Sequence, residues 1–173
     1  MKTMMNKFIS KAGKFLAVAT LLCTTFFPVK VPAAYAAEPA AAPAQSRLKI
    51  GDSHGGGKVA YIFKQGEHGY VAGQSHGLIA ANADLEADHW EDAVKACNEY
   101  LGGGFSDWRM PSKDELSKLY SHRQSIGGFK EHLYYWSSTE SDKNDAWDQS
   151  FRTGTHNLGY KLDANYSRLV RTF

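Results

Sequence analysis

The sequence predicts an α+β fold in which two helices pack on short antiparallel sheets. Three observations indicate this fold. Glycine-bounded β-branched and aromatic segments come before residue 82, two capped amphipathic segments lie between residues 88 and 121, and strand-like segments return after residue 134. Strands, then helices, then strands is the order of an α+β domain, because a parallel sheet would alternate strands with helices along the chain.

The N-terminal segment has the pattern of a secretory signal peptide. Four lysines between residues 2 and 14 form a positive region, and an apolar run over 15–27 follows. Ala34 and Ala36 fit the small residues of a cleavage site, which predicts a mature chain beginning at Ala37. A retained membrane anchor is the alternative, but the apolar run is shorter than the roughly 20 residues of a membrane span. We therefore expect an exported protein without a membrane span.

Composition divides the chain into a signal peptide (1–36), an Ala/Pro-rich flexible linker (37–47) and one domain (48–173). The first part holds five lysines and no acidic residue, so the other 137 residues carry 15 basic and 18 acidic side chains. Nucleic-acid binding depends on a surplus of positive charge. The slight acidic surplus therefore argues against a nucleic-acid partner.

Strands are predicted first at 58–63 (KVAYIF), which is β-branched and aromatic between glycines. Segments 69–72 and 77–81 are predicted as two shorter strands separated by glycine turns. These three segments would supply the first sheet of the domain.

The first helix is predicted to begin at Asp88, whose side chain would cap the first turn, with Glu91 closing a capping box. Its apolar positions share one helical face and are predicted to be buried: Trp90, Ala93, Val94, Cys97 and Leu101. Cys97 is the single cysteine of the mature chain, and this position favours a buried apolar role over a reactive thiol. The three glycines at 102–104 are predicted to end the helix.

A second capping box predicts the second helix, with Ser112 as the cap and Glu115 three residues later. Leu116, Leu119 and Tyr120 are the apolar positions behind it.

The remaining strands are predicted at 135–136, 146–151 and 169–173. Within the middle one, Trp147, Gln149 and Phe151 are expected in the core, alternating with Asp148, Ser150 and Arg152 toward solvent. Trp108, Trp136 and Trp147 are expected to fix the helices to the sheet. Arg109 and Arg171 are expected to form bidentate ion pairs with Asp107, Glu115 or Glu140.

Motifs for catalysis, metal binding and cofactor binding are missing from the sequence. It contains no Gly-Lys-Ser/Thr phosphate loop, no Gly-x-Ser-x-Gly nucleophile turn and no His-Glu-x-x-His. None of the seven histidines has another histidine three or four residues away, the spacing that places two ligands on one helix face. We therefore predict no catalytic residue, no metal site and no cofactor.

Spaced motifs at 107–112 (DWRMPS), 114–116 (DEL), 135–140 (YWSSTE) and 146–149 (AWDQ) follow one another in a fixed order. This series, over 50–173, resembles the family named for the C-terminal domain of the Legionella collagen-like protein (Lcl), a bacterial cell-surface adhesin. The resemblance implies a C-type-lectin-like fold, a secreted or cell-surface location, and no catalytic residues. Lcl is associated with sulfated polysaccharide, but the acidic surplus of the mature chain disfavours a polyanionic ligand.

The C-terminal segment also resembles the variable region of C-type-lectin-like proteins diversified by retroelements. Residues 153–166 are rich in Tyr, Asn, His, Asp and Thr, a composition typical of adaptable binding loops. The predicted ligand-binding positions are Asp148, Ser150, Arg152, Thr155, His156, Asn157, Tyr160, Asp163, Asn165 and Tyr166. An ordinary solvated loop is the alternative for this segment.

Together these observations predict an exported or cell-surface ligand-binding module, lectin-like or adhesin-like, whose partner is an extracellular carbohydrate or protein. Homo-oligomerisation stays open. The alternative is an enzyme on a lectin-like scaffold, which would need a nucleophile and a base in one cleft.

Overall fold

A computed structural model describes residues 47–173, so the predicted signal peptide, its cleavage site and the linker up to residue 46 lie outside the described residues. The strands are β1 (Ser53–His54), β2 (Gly57–Ile62), β3 (Gly77–Ala80), β4 (Leu85–Asp88), β5 (Tyr134–Glu140), β6 (Asp145–Ser150), β7 (His156–Tyr160), β8 (Asn165–Ser167) and β9 (Val170–Thr172). The α-helices are α1 (Trp90–Glu99), α2 (Lys113–Ser121) and α3 (Arg123–Ile126).

Two sheets organise the domain, and the predicted α+β class is confirmed. One has the strand order β1-β2-β3-β9, so the C-terminal strand pairs with a strand from the beginning of the domain. The other has the order β4-β8-β5-β6-β7. Every strand pairing is antiparallel except β5–β8, where Tyr135 lies opposite Tyr166 in a parallel pair.

The core forms where α1 and α2 pack on these sheets. Trp90, Ala93 and Cys97 are the buried residues of α1, and α2 buries Leu116 and Leu119. Burial raises the pKa of the Cys97 thiol to about 12. The thiol is therefore protonated and unreactive at neutral pH, as the predicted inward position implied.

The capping box of α2 is confirmed. The Ser112 hydroxyl accepts from the Glu115 backbone N–H at 3.3 Å, and the Glu115 carboxylate accepts from the Ser112 N–H at 2.8 Å. Arg109 donates twice to the same carboxylate, with both nitrogen–oxygen distances 2.6 Å. Although burial raises the pKa of Glu115, these hydrogen bonds outweigh it, and the net shift is downward.

The predicted cap of α1 is wrong. His89 is the N-cap residue and makes no side-chain cap bond, because Asp88 is the last residue of β4 and its carboxylate instead accepts the His89 N–H at 2.9 Å. The helix ends at Glu99, so Leu101 lies beyond it and is 71% exposed rather than buried.

The predicted strand at 69–72 is also wrong. This segment forms turns at the surface, where Tyr70 and Val71 are both exposed. Two glycines with positive φ, Gly69 (88°) and Gly73 (78°), bend the backbone away from the extended conformation that strand pairing needs.

Strand β6 departs from the predicted alternation. Trp147 is only half-buried, whereas Asp148 and Ser150 are buried. The physical reason is that β6 is an inner strand covered on both faces. Helix α2 lies on one face, with the Lys113 ammonium 3.0 Å from the centre of the Trp147 ring, and Asp148 on the other face lies opposite the buried Trp136 of β5.

Arginine pairs connect the loops to the core. The predicted Arg171 pair is confirmed with Asp107, at 2.7 and 3.1 Å. Arg168 is fully buried, pairs with Asp84 at 2.6 Å, and donates to the carbonyls of Gly127 (3.2 Å) and Gly128 (2.7 Å). It therefore fixes the loop after α3 to the sheet.

Candidate ligand-binding site

Half of the segment predicted to be a binding loop is strand. It forms β7, which pairs with β6 in a continuous antiparallel register, and β8, which pairs with β4 and β5. The register places Asp148 opposite Asn157 and Asp145 opposite Tyr160. Since neighbouring residues of a strand project to opposite faces, the ten predicted positions cannot share one surface.

Three of the ten predicted residues form a polar cluster, Asp148, Asn157 and Asn165. The Asp148 carboxylate is 5% exposed and accepts from the side-chain amides of Asn157 at 3.2 Å and of Asn165 at 3.0 Å. The cluster therefore ties three strands, β6, β7 and β8, together through their side chains.

Burial raises the pKa of Asp148, and the nearby negative charge of Asp163 adds to this shift. The amide hydrogen bonds from Asn157 and Asn165 oppose the shift without cancelling it. An ionised carboxylate only accepts hydrogen bonds, so it holds both amides with their NH₂ groups inward. Asp148 thus fixes the orientation of the Asn157 and Asn165 side chains from beneath the surface.

His156 lies on the other face of β7, against α2. Its Nε2 atom is 2.8 Å from the Ser117 hydroxyl, and burial, together with the Lys113 charge, lowers its pKa. The ring is therefore neutral at physiological pH and separate from the Asp148 cluster.

The other predicted positions are scattered. Ser150 is buried and accepts from the Thr153 N–H at 3.4 Å, while Arg152 and Thr155 are exposed at the β6–β7 turn. Tyr166 packs against Tyr135, and the Lys130 ammonium lies 3.9 Å from the centre of its ring. These side chains do not converge on the cluster.

A cleft of about 270 Å³ opens where β7 ends, and Tyr160 is the predicted residue that lines it. Its lining residues come from the start of α1, the β5–β6 turn and the segment after β7: His89, Glu91, Asp92, Lys143, Asn144, Tyr160, Lys161 and Leu162. Tyr160 is 49% exposed and Leu162 is 61% exposed. The cleft therefore combines apolar side chains with hydrogen-bonding groups.

Backbone hydrogen bonds make the cleft rigid. The Lys161 N–H donates to the Asn144 carbonyl at 2.8 Å, and the Lys161 carbonyl accepts from the Trp90 N–H at 2.9 Å. The buried Lys161 ammonium pairs with Glu140 and lies 4.6 Å from the centre of the Trp90 ring. These contacts join residues 160–162, which form one wall of the cleft, to α1 and β5.

Several cleft residues were missed by sequence reasoning. His89 and Asn144 are distant in sequence from Tyr160, and no local pattern connects them. Leu162 could have been found, because it lies two residues from Tyr160 in a polar segment with too few large aliphatic residues to form core.

One group of side chains has the spacing of metal ligands. Donor atoms of Asp88, His89 and Asp92 all lie within 4.8 Å of one another. All three residues are exposed, and Asp88 already accepts the His89 N–H. Exposed acidic groups of this kind occur commonly without an ion, so we assign no metal to them.

A second concave region lies around Phe63 and Tyr70, where two neighbouring depressions each have a volume of about 530 Å³. A separate depression of about 460 Å³ lies at the glycine turn around Gly56. The exposed Tyr70 makes the region around Phe63 and Tyr70 a second candidate surface. Among residues 47–173, no helix is long and apolar enough to cross a membrane.

Comparison with known proteins gives a family. The family described as the Lcl C-terminal domain matches residues 63–171, more than half of the chain. No curated protein matches the chain. Among solved structures, the chain is similar to botrocetin, with 12% identity and a TM-score of 0.39 over 62% of this chain and 98% of that chain, a likeness too low to carry an argument. On the family match, the chain belongs to the Lcl C-terminal domain family.

Proposed function

We propose that this chain is an exported ligand-binding module that recognises a neutral carbohydrate or a protein at the cleft beside Tyr160. Family membership supports ligand binding in general. The observation that carries the proposal is the pair of exposed apolar side chains, Tyr160 and Leu162, on a wall that backbone hydrogen bonds hold rigid. Binding residues commonly lie on such segments of a rigid scaffold.

The chemistry of the cleft favours a small group with both apolar and polar faces. A volume of about 270 Å³ lies just below the usual range for ligand pockets, which suits one sugar residue or one inserted side chain. The Tyr160 ring offers a flat apolar surface. His89 and Asn144 offer hydrogen-bonding groups beside it.

The charges around the cleft argue against a polyanion. Glu91 and Asp92 line it together with Lys143, and the Lys161 ammonium is already paired with Glu140. A sulfated chain would face two carboxylates for one exposed cation. Like charges across an interface are unfavourable, so a neutral ligand is the better match.

Export is a separate part of the proposal, supported by the N-terminal pattern of lysines, apolar residues and small residues at Ala34 and Ala36. Mass spectrometry of protein recovered outside the cell tests it. We expect an N-terminus at Ala37, and secreted protein that retains Lys2 would contradict cleavage at this site.

We propose that the module is not a catalyst. Among residues 47–173, Ser117 and His156 form the one hydrogen bond between a serine hydroxyl and an imidazole. The Nδ1 atom of His156 is buried without a partner in this part of the chain. A serine–histidine pair acts as a nucleophile when a third group orients the ring. Neither residue lines the cleft beside Tyr160.

Retroelement diversification of the C-terminal segment would be compatible only with its exposed positions. Asp148 and Ser150 are buried and hydrogen-bonded, so changing them would cost stability. We propose that any natural variation falls on exposed positions outside the Asp148 cluster instead: Arg152, Thr155, Tyr160 and Asp163. Sequencing the gene from many cells of one population tests this, and variation centred on Asp148 would contradict it.

The binding proposal is tested on arrays of neutral glycans, sulfated glycans and surface proteins. The secreted chain, its Tyr160→Ala variant and a Tyr134→Ala control would be compared, because Tyr134 is 46% exposed on β5 and does not line the cleft. We expect Tyr160→Ala to weaken binding to the best ligand about tenfold, or roughly 1.4 kcal/mol, and Tyr134→Ala to leave it unchanged. Equal affinity in all three proteins would exclude the cleft and direct attention to Tyr70.

A further inference from the structure

We propose that two copies of this chain associate through strand β7, which pairs antiparallel with β7 of the second copy about Leu158. The strand is the last one in the order β4-β8-β5-β6-β7, so among residues 47–173 only one of its two edges is paired. Pairing of the two free edges would join two five-stranded sheets into one.

The backbone of β7 shows which groups are available. The Thr155 carbonyl accepts from the Ser150 N–H at 2.9 Å, and the Lys161 N–H donates to Asn144 at 2.8 Å. Hydrogen-bonding groups alternate sides along a strand, so odd-numbered residues here face β6. Therefore His156, Leu158 and Tyr160 direct their backbone N–H and carbonyl groups away from β6; of these, the Tyr160 carbonyl also accepts from the Asp163 N–H.

The two edge strands of this sheet differ in how well they are protected against pairing with another chain. Edge strands normally avoid pairing through charges, proline, bulges or short length. Strand β4, at the other edge, carries Glu86 and Asp88 and has a register irregularity between Leu85 and Asp88. Strand β7 has five residues, His-Asn-Leu-Gly-Tyr, without a formal charge or proline, and it pairs with β6 without interruption.

The side chains of β7 favour a partner as well. Leu158 is 53% exposed and Tyr160 is 49% exposed, and both project to the same face of the strand because they are two residues apart. Pairing about Leu158 would cover the Leu158 side chain and remove its apolar surface from water. An edge that is both uncharged and apolar is a predicted pairing site.

A second copy of this chain fits the edge by its charge pattern. Antiparallel pairing centred on Leu158 places Leu158 opposite its own copy and His156 opposite Tyr160 of the partner. His156 is neutral at physiological pH because its pKa is lowered, and it lies opposite an uncharged tyrosine, so neither pair brings like charges together. A basic or acidic partner strand would find no opposite charge on β7 itself.

Such a dimer would carry two clefts. Tyr160 of one copy would lie four residues along the strand direction from Tyr160 of the other, or about 14 Å at roughly 3.4 Å per residue. Two linked clefts would bind a repeating ligand with greater avidity than one.

Analytical ultracentrifugation of the secreted chain tests the association directly. We expect a dimer at about 100 μM, and we expect Leu158→Lys to raise the dimer dissociation constant at least about tenfold, because the new charges would face each other across the two-fold axis. Leu101→Lys is the matched control, since Leu101 is an exposed leucine in a different part of the domain. A monomeric wild type at this concentration, or a dimer that Leu158→Lys leaves intact, would overturn the proposal.

Disulfide crosslinking gives the register. Directly opposed residues of a hydrogen-bonded antiparallel pair have Cα atoms about 5.5 Å apart, within the range of a disulfide. We expect Leu158→Cys to form a covalent dimer on oxidation and Leu101→Cys to form none. The buried Cys97 should not compete. Crosslinking of Leu101→Cys as fast as Leu158→Cys would mean nonspecific collision and would contradict the assigned pairing.

Discussion

Replacing Trp136 by alanine should destabilise the domain more than any other aromatic substitution in the second sheet. Trp136 is fully buried, and its indole N–H donates to the Asp88 carbonyl at 3.0 Å. The far edge of its ring lies against Gly159, where an added Cβ would be 2.7 Å from the ring. The indole thus contacts both β4 and β7.

The magnitude follows from this burial. Truncating a buried tryptophan costs about 3–5 kcal/mol, and the Asp88 carbonyl also loses its donor. Because small domains are stable by about 5–15 kcal/mol, this loss is a large fraction of the total. At roughly 4 °C per kcal/mol, the melting temperature of a domain of this size should fall by about 10–20 °C.

Urea unfolding followed by circular dichroism measures the loss, with Trp147→Ala as the comparison. Trp147 is half-buried and its ring is covered by the Lys113 ammonium, so we expect a smaller cost of about 1–2 kcal/mol. Equal losses in the two variants, or less than about 1 kcal/mol for Trp136→Ala, would refute the description of this core.

Three further predictions concern caps, packing and charge. Ser112→Ala should cost about 1 kcal/mol of unfolding free energy, whereas Asp88→Ala, which removes no helix-cap bond, should cost less than about half of that. Gly159→Ala should cost about 1–3 kcal/mol in the same assay, because the methyl group would meet the Asp148 carboxylate as well as the Trp136 ring. The raised pKa of buried Asp148 means that the folded state holds this proton more tightly than the unfolded chain, so wild-type stability relative to Asp148→Asn should be greatest below pH 3.8 and fall as pH rises through the raised pKa.

Denaturant titrations could contradict each of these three predictions. Equal costs for Ser112→Ala and Asp88→Ala would mean that the cap bonds at α2 contribute nothing. Wild-type stability in Gly159→Ala would mean that the close approach of β7 to Trp136 is absent in solution. A stability difference between wild type and Asp148→Asn that rises with pH would reverse the direction of the Asp148 shift.

Sequence patterns predicted correctly the features that depend on neighbouring residues, such as the helix cap at Ser112. The Ser112–Glu115 capping box was confirmed because both of its hydrogen bonds form within one helical turn. The same pattern failed at Asp88, where strand pairing with Asn165 extends β4 to the residue before the N-cap His89. Tertiary pairing overrode the local preference, and the sequence around Asp88 contains no sign of its distant partner.

The candidate site was likewise predicted only in part. Composition identified Tyr160, but the segment after residue 153 was expected to be loop because it has few large aliphatic residues. Residues 156–160 form a strand through long-range pairing with β6, where Asp148 is buried. The two leucines of the segment, Leu158 and Leu162, are exposed, so they do not belong to the core.

The most direct test of ligand binding at the cleft is an NMR titration of the ¹⁵N-labelled secreted chain with the best ligand from the arrays. We predict that the amide signals of Asp92, Asn144 and residues 160–162 shift together and saturate with the affinity measured on the arrays. Tyr134 should not shift. Saturating shifts around Phe63 and Tyr70, with the signals of the cleft unchanged, would contradict the account.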